Sequence, residues 1–493
     1  MRRCRWSAGE SGNRKRLTVT GKIKKKEREE AMETETTGGI SRIMEKQRAF
    51  FESGKTFDLA FRRAALVRLE RAVAAHEKEI CEALYQDLGK SETEGYMCEV
   101  GLTLGEIREM RKKLRRWSRT KRVGAGLANF PAKGYIVQEP YGVALIMSPW
   151  NYPFMLTIEP LAGAIAAGNC CVIKPSAYSS ATSAVIARLI REIFPEGYVT
   201  VIEGGRKENA ELLEQKFDYI FFTGSVSVGK LVMQKAAAHL TPVSLELGGK
   251  SPCIVDRTAK LSLAARRIVF GKFLNCGQTC VAPDYVLVEE CVKDEFLKEL
   301  IRWTKKMYGS ALENPDYGRI VNRKHFERIR GLIDGRRLVW GGEVKEETLQ
   351  IAPAILYPVS ETDACMQEEI FGPVLPVLPV KNMEEARALV KSRPHPLACY
   401  VFTASKKTER MFLKETAFGG GCVNDTIMHL TPSGLPFGGV GSSGMGAYHG
   451  KKSFETFSHA KSVLKKSTLL DVTARYQPYT GWKRLLIRAI GNR

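Results

Sequence analysis

Two short segments of the chain carry residue types that could do covalent chemistry together. Residues 245–250 read Leu-Glu-Leu-Gly-Gly-Lys, which sets the carboxylate of Glu246 beside two glycines. Residues 275–280 read Asn-Cys-Gly-Gln-Thr-Cys, which places Cys280 at the end of a predicted helix. A thiolate is a strong nucleophile, and a nearby carboxylate can activate the water that releases a covalent intermediate. A lone cysteine is most often a small buried apolar residue, so the context decides its interpretation.

Four further segments supply that context. They read Pro-Trp-Asn-Tyr-Pro (149–153), Phe-Thr-Gly-Ser (222–225), Glu-Glu-Ile-Phe-Gly-Pro (368–373) and Pro-Phe-Gly-Gly-Val-Gly (436–441). Together with the first two segments, and in this order, they resemble the aldehyde dehydrogenase family from about Ser41 to about Leu464. Residues 151–154, 282–285 and 443–454 resemble its class 3 branch, which includes the fatty aldehyde dehydrogenases.

The resemblance implies a covalent reaction at Cys280. The thiol attacks an aldehyde carbonyl, and the oxyanion that forms needs fixed donors, which usually provide the largest catalytic effect. The side-chain amide of Asn151 and the backbone N–H of Cys280 are the implied donors, whereas Asn151 could otherwise be a turn residue before Tyr-Pro. Hydride transfer leaves a thioester, which water hydrolyses with Glu246 as general base. Glu369 is a second candidate carboxylate, so the division of labour between the two stays open.

The implied cofactor is NAD or NADP. The family uses the lysine corresponding to Lys174 for a ribose hydroxyl and the strand-to-helix turn at 224–229 for a phosphate, which a helix N-terminus favours. Members that prefer NAD often have Glu three residues after this lysine, where this chain has Ala177, so strict NAD preference is not expected. The expected cofactor residues are Lys174, Gly224, Ser225, Gly229, Glu369 and Phe371. Tyr152 is expected in the substrate pocket.

A second glycine-rich motif does not fit a cofactor site. Residues 439–444 match G-x-G-x-x-G, but the motif does not follow a strand, and no acidic residue lies about 20 positions on. We interpret it as a tight turn near the catalytic entrance.

The order of apolar runs predicts an α/β fold with two parallel sheets. Strand and helix patterns alternate from Tyr141 to Pro252 and again from Lys260 to Thr426, which is typical of sheets covered on both faces. A dinucleotide would bind at the carboxyl ends of the first set of strands. The fold class is therefore aldehyde dehydrogenase-like, with a Rossmann-type cofactor domain, a second α/β catalytic domain and a small bridging arm that, in the family, adds strands to a partner subunit.

The expected organisation has five parts. They are a disordered basic extension (1–40), the cofactor domain (41–123 and 138–245), the catalytic domain (246–428), the bridging and oligomerisation arm (124–137 and 450–465) and a basic tail with a short amphipathic helix (466–493). The extension is either a real disordered segment or the result of a wrong start, with Met32 or Met44 as the first residue.

Charge is concentrated at the two ends. The formal net charge is +22; residues 1–30 hold eleven Lys or Arg against four Glu, and residues 451–493 hold ten against two acids. Basic tails bind nucleic acid or anionic membranes, but a solvated tail is favoured for the N-terminus. In the C-terminal tail, Trp482, Leu485, Leu486, Ala489 and Ile490 fall on one predicted helical face, which suits a lid, a membrane contact or a surface brace.

The twelve cysteines form no pattern typical of a metal site, so no metal is expected, and reduced thiols favour a reducing compartment. No run of eighteen apolar residues occurs. We expect a cytoplasmic homodimer, with peripheral membrane contact through the tail and no nucleic-acid partner.

Three functions compete at this stage. The leading one is oxidation of medium- to long-chain aliphatic or aromatic aldehydes to carboxylic acids with NAD or NADP. A CoA-acylating dehydrogenase is the alternative, although Glu246 argues against it because that chemistry needs no hydrolytic base. A catalytically silent binding protein is disfavoured because Asn151, Glu246, Cys280 and Glu369 are all present.

Overall fold

The structure is a computed structural model that describes residues 39–491. The predicted basic extension up to residue 38, with the alternative start at Met32, lies outside the described residues. No helix in the described part of the chain combines the length and the apolar character needed to cross a bilayer.

A six-stranded sheet, in the order β17-β7-β6-β3-β4-β5, forms the first layer of the fold. All neighbours are parallel except β17, which runs antiparallel to β7. Every residue of β3 and β4 is buried, as expected for a parallel sheet covered on both faces. The bounds are β3 (Val143–Met147), β4 (Cys170–Lys174), β5 (Val199–Val201), β6 (Tyr219–Gly224), β7 (Val243–Leu247) and β17 (Gly444–Met445).

Helices cover this sheet and connect its strands. The four connecting helices begin within two residues of the positions that the sequence pattern predicts, and they confirm the strand–helix alternation. They are α6 (Met155–Ala167), α7 (Ser180–Ile193), α8 (Arg206–Glu214) and α9 (Val226–Ala237). The preceding helices are α1 (39–52), α2 (Leu59–Ala75), α3 (Glu77–Leu88), α4 (Glu92–Gly95) and, after a π-helical turn, α5 (Gly101–Trp117).

A seven-stranded sheet, in the order β10-β13-β14-β9-β8-β15-β16, forms the second α/β unit. Only β10 is antiparallel to its neighbour. Its strands are β8 (Pro252–Val255), β9 (Tyr285–Glu289), β10 (Leu338–Gly341), β13 (Ala354–Leu356), β14 (Val374–Val380), β15 (Ala398–Phe402) and β16 (Gly420–Val423). Its helices are α10 (Leu261–Phe273), α11 (Lys293–Tyr308), α12 (Arg323–Arg330), α13 (Met383–Lys391) and α14 (Lys406–Glu415).

A small antiparallel sheet of three strands lies beside these units. Strand β2 (Ala132–Pro140) pairs with β1 (Lys121–Val123) on one side and with β18 (Ser458–Lys466) on the other. Short strands β11 (Val344–Lys345) and β12 (Gln350–Ile351) form a separate hairpin. Helix α15 (Lys451–Thr456) precedes β18, and α16 (Gly481–Gly491) ends the described chain.

The helical pattern from Thr56 to Gly89 is divided into two helices, because His76, at φ −106° and ψ 15°, ends α2 before α3 begins. The glycine- and charge-rich segment from Gly331 to Glu347 contains β10, the edge strand of the seven-stranded sheet. No residue of β10 is fully buried, because an edge strand is covered less than a central one, and this weakens its apolar pattern in the sequence.

Candidate active site

The residues predicted to act together lie on strand ends and connecting loops of the two α/β units. Glu246 is the fourth residue of β7, and Lys174 and Gly224 end β4 and β6. Cys280 lies in the loop between α10 and β9, and it lines a cavity of about 570 Å³. The carboxyl ends of the parallel strands therefore meet the cysteine loop, as open α/β sheets place their ligand crevice.

The backbone before Cys280 is strained. Helix α10 ends at Phe273 and not at Asn275 as the sequence suggested, because Asn275 and Cys276 adopt left-handed conformations with φ of 51° and 53°. Gly277 follows at φ 73°. A left-handed conformation costs a non-glycine residue on the order of 1–3 kcal/mol, and such strain persists only where surrounding contacts impose it.

Those contacts come from three directions. The backbone N–H of Asn275 donates to Oε1 of Glu94 at 3.0 Å, and its side chain donates to the carbonyl of Asn151 at 2.8 Å. The Gln278 amide donates to the carbonyl of Arg319 at 3.0 Å and accepts from the N–H of Val321 at 3.0 Å. These hydrogen bonds fix the turn and thereby the position of the cysteine that follows it.

Asn151 is buried beside this loop. Its side-chain nitrogen donates to the carbonyl of Gln278 at 3.0 Å, two residues before Cys280. An amide nitrogen carries two hydrogens, so one N–H holds the side chain in place and the other can serve a reacting oxygen. The structure thus places the predicted oxyanion donor next to the predicted nucleophile.

A fully buried ion pair fixes the backbone around Asn151. Lys90 and Glu99 have no exposed side-chain surface, and Nζ of Lys90 also donates to the carbonyl of Asn151 at 2.9 Å. Oε2 of Glu99 accepts the backbone N–H groups of Phe154 and Met155 at the start of α6. A buried charge needs such full pairing, so this pair holds the loop and the helix start as one unit.

Tyr152 faces the cavity with its ring and hydroxyl fixed. Its hydroxyl lies 2.6 Å from Oγ1 of Thr279, and the ammonium of Lys90 lies 4.0 Å from its ring centroid. Both Tyr152 and Thr279 line the cavity that reaches Cys280.

The thiol of Cys280 is protonated in these surroundings. Removal from bulk water, together with the charges of Glu369 and Glu246, raises its pKa to about 12. A nucleophilic thiolate therefore has to be generated by loss of the proton to a base.

Glu246 is the first carboxylate near this thiol. Burial raises its pKa well above the usual range, and neither of its carboxylate oxygens has a hydrogen-bond partner among the described residues. Gly444 of β17 lies opposite Glu246 in the antiparallel pair, so the glycine-rich 439–444 motif covers the general-base candidate with little bulk. A buried carboxylate without a hydrogen-bond partner is suited to take a proton from a water or a thiol.

Glu369 is the second carboxylate. Burial and the charge of Asp284 raise its pKa to about 8, while the N–H of Gly249 stabilises the ionised form. A side chain at position 248 would collide with the Glu369 carboxylate, so Gly248 admits it. Lys250 bonds Asp284 at 2.6 Å and the carbonyls of Cys365 and Glu368, and this network fixes the segment that carries Glu369.

Phe371 projects from the same segment in a left-handed conformation at φ 48°. Its ring contacts Trp150 edge-on at 5.4 Å between centroids, and Trp150 contacts His325 at 5.3 Å. The aromatic side chain thereby lies between the Glu369 segment and the Asn151 loop.

Four of the expected cofactor residues, Lys174, Gly224, Ser225 and Gly229, lie at or just after the carboxyl ends of β4 and β6. Lys174 is buried, and its Nζ donates to the carbonyls of Pro175 and Gly204 at 2.8 and 2.7 Å. Ser225 follows β6 and caps the 12-residue helix α9, whose first N–H groups are suited to a phosphate. Gly229 packs against Leu247, where any side chain would collide, so its small size serves helix–sheet packing. Ala177 is exposed beyond Lys174.

The cavity that reaches Cys280 is mainly apolar and opens between α5, α6 and the segments near 430 and 448. Its apolar lining includes Met97, Leu102, Met155, Leu156, Phe270, Leu274, Ile427, Leu430, Phe437 and Tyr448. Exposed lining residues, among them Arg108, Lys112 and Thr431, mark its opening. Helix α5 is strongly basic, and it also forms one wall of the cavity.

Sequence reasoning missed the residues that hold the site rather than react in it. Glu99, Lys90 and Glu94 lie far from the six segments in sequence and have ordinary neighbours, so no local signal marks them. Asp284 stood in a quoted segment, Ala-Pro-Asp-Tyr, but its partners Lys250 and Ile370 become visible only in three dimensions. No cluster of His, Cys, Asp or Glu suited to a metal occurs among residues 39–491.

Comparison with known proteins places this geometry in a family. The model of the aldehyde dehydrogenase family matches residues 10–463. Aldehyde dehydrogenase family 3 member A2 of Macaca fascicularis is 48% identical over 429 residues, covering 87% of this chain and 88% of that protein. The dimeric NADP-preferring aldehyde dehydrogenase of Canis lupus familiaris is 46% identical over 442 residues, covering 89% of this chain and 98% of that protein.

A solved structure agrees over nearly the whole fold. The substrate-bound state of Staphylococcus aureus AldH superposes with a TM-score of 0.90 at 48% sequence identity, covering 92% of this chain and 99% of that one. The predicted resemblance, including the class 3 branch, and the predicted fold class are confirmed. The chain belongs to the aldehyde dehydrogenase family.

Proposed function

We propose that this aldehyde dehydrogenase oxidises aldehydes to carboxylic acids with NAD or NADP, through a covalent intermediate on Cys280 that water hydrolyses. The observation that carries the proposal is the setting of Cys280, which lines a mainly apolar cavity. The Asn151 amide is bonded to the loop that carries Cys280, and the carboxylates of Glu246 and Glu369 are close enough to raise the pKa of its thiol.

The first step is activation of the thiol. Because the pKa of Cys280 is about 12, a base must accept its proton before attack. Glu246 and Glu369 are the carboxyl groups whose charges act on this thiol. The thiolate then adds to the aldehyde carbonyl and forms a thiohemiacetal.

The oxyanion of that intermediate needs preorganised donors. The second N–H of the Asn151 amide and the backbone N–H of Cys280 are assigned this role. The carbonyl of Gln278 already holds the Asn151 amide, so little reorganisation is needed during the reaction.

The residues at the sheet edge fit a nicotinamide dinucleotide. Lys174 at the end of β4, Ser225 at the start of α9 and Glu369 above Gly248 offer a ribose contact, a phosphate contact and a second ribose contact. When bound, the nicotinamide accepts the hydride that leaves the thiohemiacetal. Ala177 offers no carboxylate to repel a 2′-phosphate, so we propose that both dinucleotides are accepted.

Deacylation follows at the same thiol. Glu246 has two carboxylate oxygens without partners among the described residues and is therefore free to orient and deprotonate a water. Hydrolysis of the thioester releases the acid and returns the thiol.

The cavity favours apolar aldehydes. Its apolar lining suits aldehydes with medium- to long-chain aliphatic or aromatic groups, because burial of the substrate chain contributes about 0.8 kcal/mol per CH₂.

Within residues 39–491 we infer the four parts predicted from the sequence, with the six-stranded sheet serving the cofactor and the seven-stranded sheet belonging to the catalytic domain that carries Cys280. The exposed side chains of β18, including Val463 and Leu464, suit an arm that pairs with a partner subunit in a homodimer. One relative is named as dimeric. The eleven cysteines of the described residues are all free thiols, which suits a reducing compartment such as the cytoplasm.

The test is formation of NADH or NADPH with alkanals of increasing length, with and without CoA. We expect turnover without CoA, the acid as product and higher kcat/KM for longer chains. An absolute requirement for CoA, with an acyl-CoA product, would instead identify the acylating alternative.

A further inference from the structure

The wall of the cavity holds a second polar cluster that the proposed reaction does not use. Glu106 on α5, Glu159 on α6 and His449 before α15 all line the cavity that reaches Cys280. Glu106 is 8% exposed and Glu159 is 4% exposed. Burying a carboxylate this deeply costs free energy unless the carboxylate is paired or binds a ligand. The cluster is therefore a candidate ligand-binding site.

Glu159 is the incompletely satisfied member. Its Oε2 lies 3.4 Å from Nε2 of His449, but neither atom has a well-aligned hydrogen-bond partner among the described residues. Glu106 differs, because its Oε1 accepts the backbone N–H of Gly450 at 2.6 Å. Oε2 of Glu159 therefore faces only His449, and the carboxylate as a whole retains acceptor capacity beyond that contact.

His449 is fixed in place and cannot serve both carboxylates equally. Its ring contacts Tyr448 edge-on at 4.4 Å and stacks on Phe437 at 5.5 Å between centroids. Its backbone N–H donates to Oγ of Ser453 at 2.8 Å. One imidazolium can balance one carboxylate, and the other carboxylate then lacks a counter-charge.

The pKa values of His449 and Glu106 agree with this excess of carboxylates over cations. Burial lowers the pKa of His449, but Glu159 and Glu106 outweigh it, so the pKa is raised above the usual value. Burial and the charge of Glu159 raise the pKa of Glu106 to about 7. Above pH 7 Glu106 therefore adds a negative charge to the wall of a mainly apolar cavity.

The charges at the cavity mouth do not supply the missing cation. Arg108 donates to Glu70 at 3.0 Å, and Lys113 is paired with Glu109. Lys112 also lines the cavity, but its side chain is exposed and is not paired with Glu106 or Glu159 among the described residues. The neighbouring His429 is neutral near pH 7, since burial and the charge of His449 lower its pKa to about 4.

We propose that Glu159, with Glu106 and His449, forms a subsite for a protonated amine, so that the cavity takes aldehydes bearing an ammonium group as well as plain alkyl aldehydes. This inference rests on the proposed function and extends it to a substrate class. An ammonium group in the cavity donates to the Glu159 carboxylate and supplies the cation that the cluster lacks. A hydroxyl group supplies a donor but no charge.

The test is isothermal titration calorimetry of the unliganded protein at pH 8 with n-alkylamines and n-alkanols of matched length. Because hydrogen bonds to charged groups are stronger than neutral ones, we expect the amine to bind about tenfold more tightly than the alkanol. Glu159→Gln should remove this advantage and leave alkanol affinity unchanged, which also shows that the cavity is intact. Glu109→Gln is the matched control, because it removes a carboxylate at the mouth, and the advantage should persist.

Equal affinity for amine and alkanol in the unaltered protein overturns the proposal. So does an amine advantage that survives Glu159→Gln, or one that Glu109→Gln removes to the same extent. Calorimetry requires no turnover, so these outcomes are independent of whether the protein oxidises aldehydes.

Discussion

The side-chain amide of Asn151 donates a hydrogen bond to the carbonyl of Gln278 at 3.0 Å. Gln278 lies two residues before Cys280, and its own side chain is fixed by Arg319 and Val321. The cysteine loop therefore orients the group that is proposed to stabilise the oxyanion on that cysteine. Nucleophile and oxyanion donor are positioned by one set of hydrogen bonds.

Asn151→Ala should lower kcat about 10²–10³-fold, because it removes one oxyanion donor. The aldehyde KM should change much less, since the ground-state carbonyl gains little from this donor. Steady-state kinetics with one alkanal checks the split. A loss confined to KM would assign Asn151 to substrate binding instead.

Cys280→Ser should abolish aldehyde oxidation while NAD binding, measured by fluorescence titration, survives. A serine hydroxyl is a far weaker nucleophile in the same place. Cys291→Ser is the matched control, since Cys291 is an exposed free thiol, and it should keep full activity. Substantial turnover by the Cys280 variant would rule out the assigned nucleophile.

The sequence could single out the candidate reacting residues because each stands in a recognisable local segment. Asn151 follows β3, Glu246 lies near the carboxyl end of β7, and Cys280 lies in the loop before β9. Strand β3 is a continuous apolar run, and β4 is apolar up to its last residue, Lys174, as expected for strands buried on both faces.

What supports these residues could not be predicted in the same way. Lys90 and Glu99 pair with each other and also bond to the backbone of the Asn151–Met155 loop, more than 50 residues later in the chain. The burial of the pair depends on the packing of helices α3 to α6. The left-handed turn at Asn275 likewise arises from contacts with Glu94 and Asn151, so the helical periodicity of α10 gave no warning of it. Tertiary contacts decide both features.

Glu246→Gln and Glu369→Gln should separate the two carboxylates. If Glu246 activates the hydrolytic water, its variant should give a burst of NADH near one equivalent followed by slow turnover in stopped-flow measurements. Because the pKa of Glu369 is raised to about 8, a base function for Glu369 makes activity rise with pH through that region as the proton is lost. Glu369→Gln should then flatten this rise. A burst lost in Glu246→Gln would move Glu246 to an earlier step.

Ala177→Glu should shift cofactor preference toward NAD. The exposed position follows Lys174 at the ribose end of the expected site, where a carboxylate accepts a ribose hydroxyl and repels a 2′-phosphate. The ratio of kcat/KM for NAD to that for NADP should rise about tenfold or more. Ala177→Gln is the uncharged control, and it should change the ratio less. Equal ratios in all three proteins would show that another residue sets the preference.

Deleting residues 479–493 should test the role of the tail helix. Helix α16 packs against the turns Leu127–Asn129 and Thr473–Arg475, and no residue between 466 and 489 lines the cavity of its own chain. Trp482 and Leu485 are 56% and 71% exposed, so their apolar surface is available to a partner subunit or a membrane.

Burial of such side chains contributes roughly 1.5–3 kcal/mol each, and each basic neighbour adds about 1 kcal/mol at an anionic surface. Long alkanals should therefore lose kcat/KM on deletion while short alkanals change little, because only long chains reach the cavity mouth.

Sedimentation with vesicles containing anionic lipid separates a membrane contact from a lid role. Salt-sensitive binding that the deletion removes indicates a membrane contact, whereas a chain-length effect without vesicle binding indicates a lid over a partner's cavity. The substitution pair Trp482→Ala and Leu485→Ala keeps the basic residues and should reproduce the deletion if the apolar face acts. If neither chain-length preference nor vesicle binding changes, α16 is a surface brace.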